Sequence, residues 1–228
     1  MDAVHITPFM TQSINTYNLE KSPRTTYRHG DLRRALIDAG IELARAGGPN
    51  AVVLREATRR AGVAPNAAYR HFASREALLQ AVRASALSAV ARAMEAELDT
   101  LAADLPAADL ARASVRAVGT GYLRFAVEET GLFRTAFGPS KQLIQTTPEL
   151  PTAGNSGLNP FELLGAALDE LVAAGVMPLT RRPGAEFLAW SAVHGLAVLV
   201  VDGPLASVVG PQMAQVGQRL LDMVEKGL

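Results

Sequence analysis

The chain has 228 residues, 49% of them apolar and 5% aromatic, and it contains no cysteine. These values support a buried core and exclude disulfides and zinc–thiolate sites. The zero net charge hides an asymmetry: residues 21–83 carry 12 Lys/Arg and 5 Asp/Glu, a net +7, whereas residues 84–228 carry 10 and 15, a net −5. A basic first part indicates either a surface for a polyanion or a merely solvated arginine-rich face, and charge alone leaves both open.

The first 28 residues are polar and aperiodic, and their last segment, KSPRTTYR, is basic. We expect a flexible arm there. No basic start is followed by an apolar block, so no signal peptide is predicted. The longest apolar run, residues 195–201, is too short to cross a bilayer. We therefore expect a cytoplasmic protein that does not enter the membrane.

A helical pattern begins near residue 30. Leu32, Leu36, Ala39 and Leu43 follow one another at spacings of four, three and four, which places them on one helix face. Gly47-Gly48-Pro49 should end this helix. A second helix is predicted over residues 53–61 and a short third over 65–71. A fourth, capped by Ser74, is predicted over 75–98, about 36 Å at ~1.5 Å per residue.

The rest of the chain also reads as helical. Helices are predicted over residues 107–129, 160–174, 184–201 and 211–226, with a turn and a short helix in TGLFRTAFGPS. Residues 139–158 are rich in Pro, Gly, Ser and Thr and predict a mobile loop. Since no strand pattern is convincing, the fold class is all-α.

The second and third helices, joined by a glycine turn, predict a helix-turn-helix, a unit that can place its second helix in a DNA major groove. Ala57 and Ala61 allow the two helices to approach closely, and Gly62 allows a left-handed turn. Val63 is expected to fill the corner, and Phe72 to anchor the end of the third helix in the core.

Arg75 stands at the start of the fourth helix, where a cation is disfavoured by a few tenths of a kcal/mol. A phosphate at that position would be attracted by the arginine and by the free backbone N–H groups. The alternatives are that Arg75 pairs with Glu76 or simply points to solvent.

The segment AGVAPNAAYRHFASREALL, within residues 29–82, closely resembles the DNA-binding domain of TetR-family transcriptional repressors. A weaker resemblance lies in WSAVHGLAVLVVDG, residues 190–203, which is similar to the Trp-x-x-x-His-Gly segment of one C-terminal subgroup. The chain departs from the family pattern at Val52 and Val53, Ala64 and Ala57-Thr58, where the loss of a polar cap would cost about 1 kcal/mol each.

The resemblance implies roles for the matching residues. Asn66, Ala67 and Arg70 would lie near base edges or phosphates, and Arg70 is the best candidate for reading a guanine. Tyr69 and His71 would contact phosphates, although Tyr69 equally fits a half-buried packing role and His71 a helix cap. Arg55 and Arg75 would clamp the DNA backbone. Arg24 and Arg28 of the arm would either reach a minor groove or stay solvated.

The segment EFLAWSAVHGLAVLVV is apolar nearly all round, so it must be buried in a core or an interface. With the last helix it is expected to form half of a four-helix homodimer interface, in which small residues allow close approach: Ala189, Ala192, Gly195 and Ala197. The family commonly binds a small molecule in this domain, and the bulky candidates for its cavity are Tyr122, Phe125, Phe133, Phe137, Met177 and Trp190, with His194 as a polar contact. Ordinary core packing is the alternative for each.

Taken together, the sequence predicts an arm (1–28), a three-helix helix-turn-helix domain (29–83) and, joined to it by a long helix, a helical effector-binding and dimerisation domain (84–228). No catalytic set, metal site or cofactor is expected, since the four histidines lie far apart in sequence. The predicted function is a ligand-responsive regulator, a repressor that binds double-stranded DNA as a dimer. The alternative is a helical small-molecule carrier or enzyme without DNA-binding activity.

Overall fold

The computed structural model describes residues 29–138, 152–209 and 212–228. Within these ranges there are ten α-helices, one 3₁₀ turn (Leu179–Arg181) and no strand, so the all-α prediction is confirmed. The predicted arm and most of the predicted loop lie outside the described residues. The helices are α1 (His29–Ala51), α2 (Leu54–Arg60), α3 (Pro65–Ala68), α4 (Arg75–Leu98), α5 (Ala107–Glu128), α6 (Thr130–Phe137), α7 (Pro160–Ala173), α8 (Ala185–Val201), α9 (Ala206–Val209) and α10 (Met213–Gly227).

The first three helices form the predicted helix-turn-helix. Gly62 has φ +67°, the left-handed conformation that the turn requires. Ala57 is fully buried where α2 packs, and Phe72 is buried after α3. Val63 packs half-buried against the core. The guanidinium of Arg33 on α1 lies 5.3 Å from the centre of the Phe72 ring and covers its outer side.

The helix ends agree with the caps that the sequence contains. Ser74 is the N-cap of α4, and its hydroxyl accepts a hydrogen bond from the Ala77 amide at 3.2 Å. Val53 and Ala64 precede α2 and α3 without any side-chain cap, as their residue types require. At the end of α1, Gly47 and Gly48 leave the helical conformation, which confirms a break at this point although helical hydrogen bonding resumes up to Ala51.

Helix α4 is the central element of the fold, and it packs along α1, α5, α6 and α7. Its closest neighbour is α5, which crosses it at Gly121. A side chain at Gly121 would overlap the backbone of Ala93 and Met94, so the two helix backbones are in direct contact there. The domain boundary predicted after residue 83 falls inside α4, and the division into domains stays a prediction.

Helix α6 joins the helix-turn-helix to the rest of the bundle. Gly131 lies against the carbonyl oxygens of Ala44 and Arg45 near the end of α1, with no room for a methyl group. The guanidinium of Arg45 also pairs with Glu129, with Nε 2.8 Å from a carboxylate oxygen. The end of α1 is therefore fixed to the start of α6.

Helices α8 and α10 pack against α5 and against each other. The small residues of α8 divide between two sides of the helix. Ala189 and Ala197 are buried in the bundle, whereas Ala192 and Gly195 are half-buried. A Cβ built on Gly195 would meet no atom within 4 Å, so its side of α8 is open. The 3₁₀ turn and α9 carry no sequence signal that predicted them.

The contact between α6 and α1 predicts that alanine substitutions at two glycines change the free energy of unfolding in opposite directions. Gly131→Ala should lower the free energy of unfolding by about 1–3 kcal/mol, because the methyl group overlaps two backbone oxygens that cannot rotate away. Gly165→Ala, in the interior of α7, has space and should raise it by up to about 1 kcal/mol. Urea unfolding followed by circular dichroism measures both. Equal effects of the two substitutions would contradict the close α1–α6 contact.

Candidate nucleic-acid interface and ligand pocket

The outward side of the helix-turn-helix carries the residues that the sequence assigned to DNA. Asn66, Arg70 and Arg55 are exposed, and Tyr69 is 58% exposed, which rules out its alternative role as a half-buried packing residue. Ala67 and His71 are half-buried. These residues lie on α2, on α3 and directly after α3, and their side chains include hydrogen-bonding, cationic and aromatic groups.

Much of the positive charge in this region is already paired. Arg59 and Arg60 both donate to the carboxylate of Glu56, at 2.6 Å and 3.3 Å. The hydrogen bonds from Arg59, with help from Arg60, lower the pKa of Glu56 to about 2. At neutral pH this group is therefore ionised and offsets part of the charge on α2.

Arg55 and Arg70 differ from these residues, because neither forms an ion pair with any other residue that the structure describes. Their guanidinium groups are exposed to solvent, with all N–H donors available to a polyanion. Among the described residues, Arg55 and Arg70 are therefore exposed arginines of the helix-turn-helix whose charge is not offset by a carboxylate.

Arg75 has a structural role that none of the three sequence interpretations included. Its Nε donates to the carbonyl of Val52 at 2.7 Å, and one terminal nitrogen donates to the carbonyl of Pro49 at 2.6 Å. It neither pairs with Glu76 nor points away from the protein. The arginine fastens the start of α4 to the corner between α1 and α2, and its remaining donors face the exposed side.

The C-terminal helices enclose a cluster of aromatic side chains. The Tyr122 hydroxyl lies 2.7 Å from Nδ1 of His194, and both rings pack against Phe133 and Phe137. The Trp190 ring packs against His194 with ring centres 5.3 Å apart and an angle of 37° between the ring planes. Burial raises the pKa of the Tyr122 phenol and lowers that of the His194 imidazole. Both groups are therefore neutral at pH 7, and the tyrosine hydroxyl can donate to the imidazole.

A pocket opens beside this cluster, between α4, α5, α6, α7, α8 and α10. Three of the seven predicted ligand residues, Tyr122, Phe137 and Trp190, line it. Phe133 and His194 lie behind them, and Phe125 and Met177 are buried elsewhere in the core. The other lining residues are Leu87, Met94, Val115, Val118, Gly119, Thr152, Asn159, Pro160, Phe161, Leu164, Ala189, Val193, Leu221 and Val224.

The pocket is narrow and apolar. Its free volume is about 60 Å³, on a scale where one water needs about 10–15 Å³. None of its lining residues is charged. The polar groups in the lining are few, and the carboxamide of Asn159 already accepts hydrogen bonds from the amides of Phe161 and Glu162 at the start of α7. Such a lining fits an uncharged apolar molecule, which would have to widen the space as it binds.

Several lining residues were not predicted from the sequence. Leu78, Val82, Ala86, Val90 and Met94 repeat every four positions along α4, a pattern that predicts burial but not a pocket. Phe161 follows Asn159 and Pro160 at the start of α7, and as a large aromatic residue it was a possible pocket residue that the sequence analysis did not select. For Leu87 and Thr152 the sequence contained no signal, because their position at the pocket depends on how α4 and the segment before α7 meet.

No group of three or more His, Asp or Glu residues in the described ranges is arranged to hold a metal ion. No helix in the same ranges combines the length and apolar character that a membrane crossing requires.

The lowered pKa of His194 predicts a pH-dependent stability. Since the folded protein binds this proton less well than the unfolded chain, stability should fall as pH drops below about 6.5, by at most about 1.4 kcal/mol per pH unit. His194→Asn should flatten this dependence. Thermal unfolding between pH 5.5 and 7.5 measures it, in a window above the titration of Glu56. An unchanged slope in the variant would show that His194 is not responsible.

Comparison with known proteins gives a family match in each half of the chain. Residues 36–82 match the family model for bacterial regulatory proteins of the tetR family, and residues 115–224 match the model for the tetracyclin repressor-like C-terminal domain. The second match contains the Trp-x-x-x-His-Gly segment, residues 190–195. No significant match to a curated protein was found.

Solved structures resemble the chain over most of its length. A protein of unknown function from Rhodococcus sp. RHA1 is 25% identical, with a TM-score of 0.69, and the alignment covers 90% of this chain and 99% of that one. The regulator FadR from Bacillus subtilis, solved with stearoyl-CoA, is 16% identical (TM-score 0.59; 86% and 98% covered). The TetR-family regulator PfmR from Thermus thermophilus is 22% identical (TM-score 0.53; 85% and 98% covered). The last two show a shared fold.

The helix-turn-helix on α2 and α3, the helical domain behind it, and the two family models that match these parts in the same order lead to one conclusion: the chain belongs to the TetR family of transcriptional regulators.

Proposed function

We propose that the protein is an effector-responsive repressor that works in the cytoplasm and binds a near-palindromic operator as a homodimer. An uncharged apolar molecule in the C-terminal pocket would change the spacing of its two DNA-reading heads. The observation that carries this proposal is the course of α4. This helix begins at Arg75, which holds the corner of the helix-turn-helix, and further along it lines the pocket with Leu87 and Met94.

The exposed groups of the helix-turn-helix suit a duplex. Arg70 would reach a base edge or a phosphate next to Asn66 and Ala67, while Tyr69 and His71 would contact phosphates. Arg55 would hold the DNA backbone on one side, and the free donors of Arg75 would hold it on the other. The absence of ion pairs at Arg55 and Arg70 within the described ranges supports these roles, because both can exchange water and counterions for phosphates.

The pocket limits the chemistry of the effector. An ion would lose its hydration among apolar walls without gaining a partner, because no charged side chain lines the pocket. The aromatic rings of Phe137, Phe161 and Trp190 suit a flat or alicyclic apolar body. The Tyr122 hydroxyl, 2.7 Å from Nδ1 of His194, is a polar group at this edge of the pocket that would orient one polar group of the effector.

The outer face of α8 supports dimerisation. Leu188 and Leu199 are 68% and 43% exposed, and Ala192 and Gly195 lie between them at helical spacing. Phe187 and Val198 extend this stripe, and no described residue covers it at Gly195. A second copy of the chain, packed against α8 and α10, would bury these residues. Two recognition helices would then lie about 34 Å apart, one turn of DNA.

The first test is DNA binding. Arg70→Ala should weaken binding to the DNA upstream of the protein's own gene about tenfold or more, because one direct contact per head is lost. Arg181→Ala is the matched control, since it removes an exposed arginine from the C-terminal domain and should have no effect. Fluorescence anisotropy at several salt concentrations measures both. Arg75 is a poor probe here, since its loss also breaks the α1–α2 corner.

Two results would contradict the DNA-binding role. One is that the wild-type protein does not bind duplex DNA at low salt, which would favour the alternative of a small-molecule carrier. The other is an equal loss of affinity in the Arg70 and Arg181 variants.

The second test is the oligomeric state. Leu188→Arg should convert a dimer into a monomer, because a charge would be buried without a partner at the α8 interface. Leu179→Arg is its control, since Leu179 is 72% exposed on the 3₁₀ turn, outside α8 and α10. Size-exclusion chromatography with light scattering measures the mass. A monomeric wild type, or a dimeric Leu188→Arg variant, would show that α8 is not the interface.

A further inference from the structure

One wall of the pocket is a short non-helical segment, residues 152–159, here called the strap. Thr152 and Asn159 at its two ends are buried and line the pocket. Between them the strap folds on itself: the Gly154 amide donates to the Leu158 carbonyl at 2.9 Å, and Gly157 turns the chain with φ +85°. The strap is thus an ordered loop whose ends belong to the pocket.

The middle of the strap is held by one carboxylate of α4. Glu95 is only 7% exposed, and its two oxygens accept hydrogen bonds from the amides of Asn155 and Ser156, each at 2.8 Å. The Ser156 hydroxyl adds a third bond at 2.6 Å. Two successive amides aimed at one anion form a compact binding site for it, and here the anion is a side chain of the same protein.

Two further contacts fix the same stretch of the strap. The backbone of Gly154 lies so close to the Glu95 carboxylate that a methyl group at Gly154 would overlap it. Two turns earlier on α4, the Ser88 hydroxyl donates to the Ala153 carbonyl at 2.5 Å. The guanidinium of Arg92 donates to the same Ser88 hydroxyl at 2.6 Å and so helps to hold it in place.

Glu95 carries its charge in this arrangement. Burial acts to raise the pKa of the carboxyl, but the hydrogen bonds from Ser156 and Asn155, with the nearby Arg92, outweigh it and lower the pKa. The carboxylate is therefore ionised at neutral pH. A hydrogen bond to a charged group is about twice as strong as a neutral one, so three of them make a firm attachment.

We propose that Glu95 is a positioning residue of the effector site, which fixes the strap to α4 and thereby sets the pocket wall formed by Thr152 and Asn159. The free space of about 60 Å³ is smaller than a drug-sized molecule needs, so binding has to displace a wall. The strap is attached to α4 by side-chain hydrogen bonds, and Glu95 accepts three of them. Its attachment to α4 ties that displacement to the helix that begins at the helix-turn-helix. This inference rests on the proposed effector site.

The experiment compares Glu95→Gln with Glu97→Gln in the full chain. The first variant keeps the shape of the side chain and removes the second acceptor, whereas the second changes a glutamate that faces Arg124 and does not touch the strap. Hydrogen–deuterium exchange of the peptide over 152–158 reports on the strap. N-phenyl-1-naphthylamine, an uncharged apolar fluorophore, reports on the pocket by quenching Trp190, the only tryptophan.

In Glu95→Gln we expect the strap amides to exchange about tenfold faster than in the wild type, and the affinity for the fluorophore to change by about tenfold. The affinity for DNA, measured without the fluorophore, should stay within about twofold of the wild-type value. Glu97→Gln should match wild type in all three. Ser156→Ala, which removes one of the three bonds at an exposed position and should not affect folding, is expected to give a smaller change in strap exchange.

If the strap amides exchange at the wild-type rate in both Glu95→Gln and Ser156→Ala, the proposed role of Glu95 is wrong. This conclusion does not depend on whether the protein binds DNA. Faster strap exchange without any change in fluorophore affinity would also overturn that role, since the wall would then not depend on the strap. A wild-type protein that binds no fluorophore argues against the proposed effector site, and strap exchange still decides whether Glu95 positions the strap.

Discussion

The contact between α4 and α5 at Gly121 is the constraint on which the rest of the molecule depends. With no side chain at this crossing, the two backbones touch, and α4 is held against the bundle along its second half. Its first half belongs to the helix-turn-helix, where Arg75 fastens it to the α1–α2 corner. One continuous helix therefore contacts both the helix-turn-helix and the pocket.

A second connection runs beside α4. Gly131 of α6 lies on the end of α1, and Phe137, about two turns further along α6, lines the pocket. The pocket thus contacts two helices that reach the helix-turn-helix, and both pass through close backbone contacts at glycine. Such contacts have little freedom to adjust gradually, because packed interiors transmit displacement rather than absorb it. This geometry suits a protein in which a ligand must reposition a distant surface.

The charges of the molecule are used in two distinct ways. Many arginines are committed to carboxylates or carbonyls inside the fold: Arg45 to Glu129, Arg116 to Asp222 and Glu225, and Arg182 to Asp169 and Glu186. Arg55 and Arg70 have no such partner among the described residues. The surface proposed for DNA therefore depends on a few uncommitted side chains, more than on the total charge of the region.

The sequence by itself determined the helices other than α9, the Gly62 turn, the Ser74 cap and the family, because these follow from apolar spacing, special backbone conformations and short motifs that act within a few residues. It did not determine the partners of Arg75, the division of the aromatic residues between pocket and core, or the attachment of the strap to Glu95. Those depend on contacts between residues 23 to 72 positions apart, such as Arg75 with Val52 and Tyr122 with His194. Only the packing of the helices decides which side chains meet across such distances, since a local pattern fixes the face of a helix but not its neighbour.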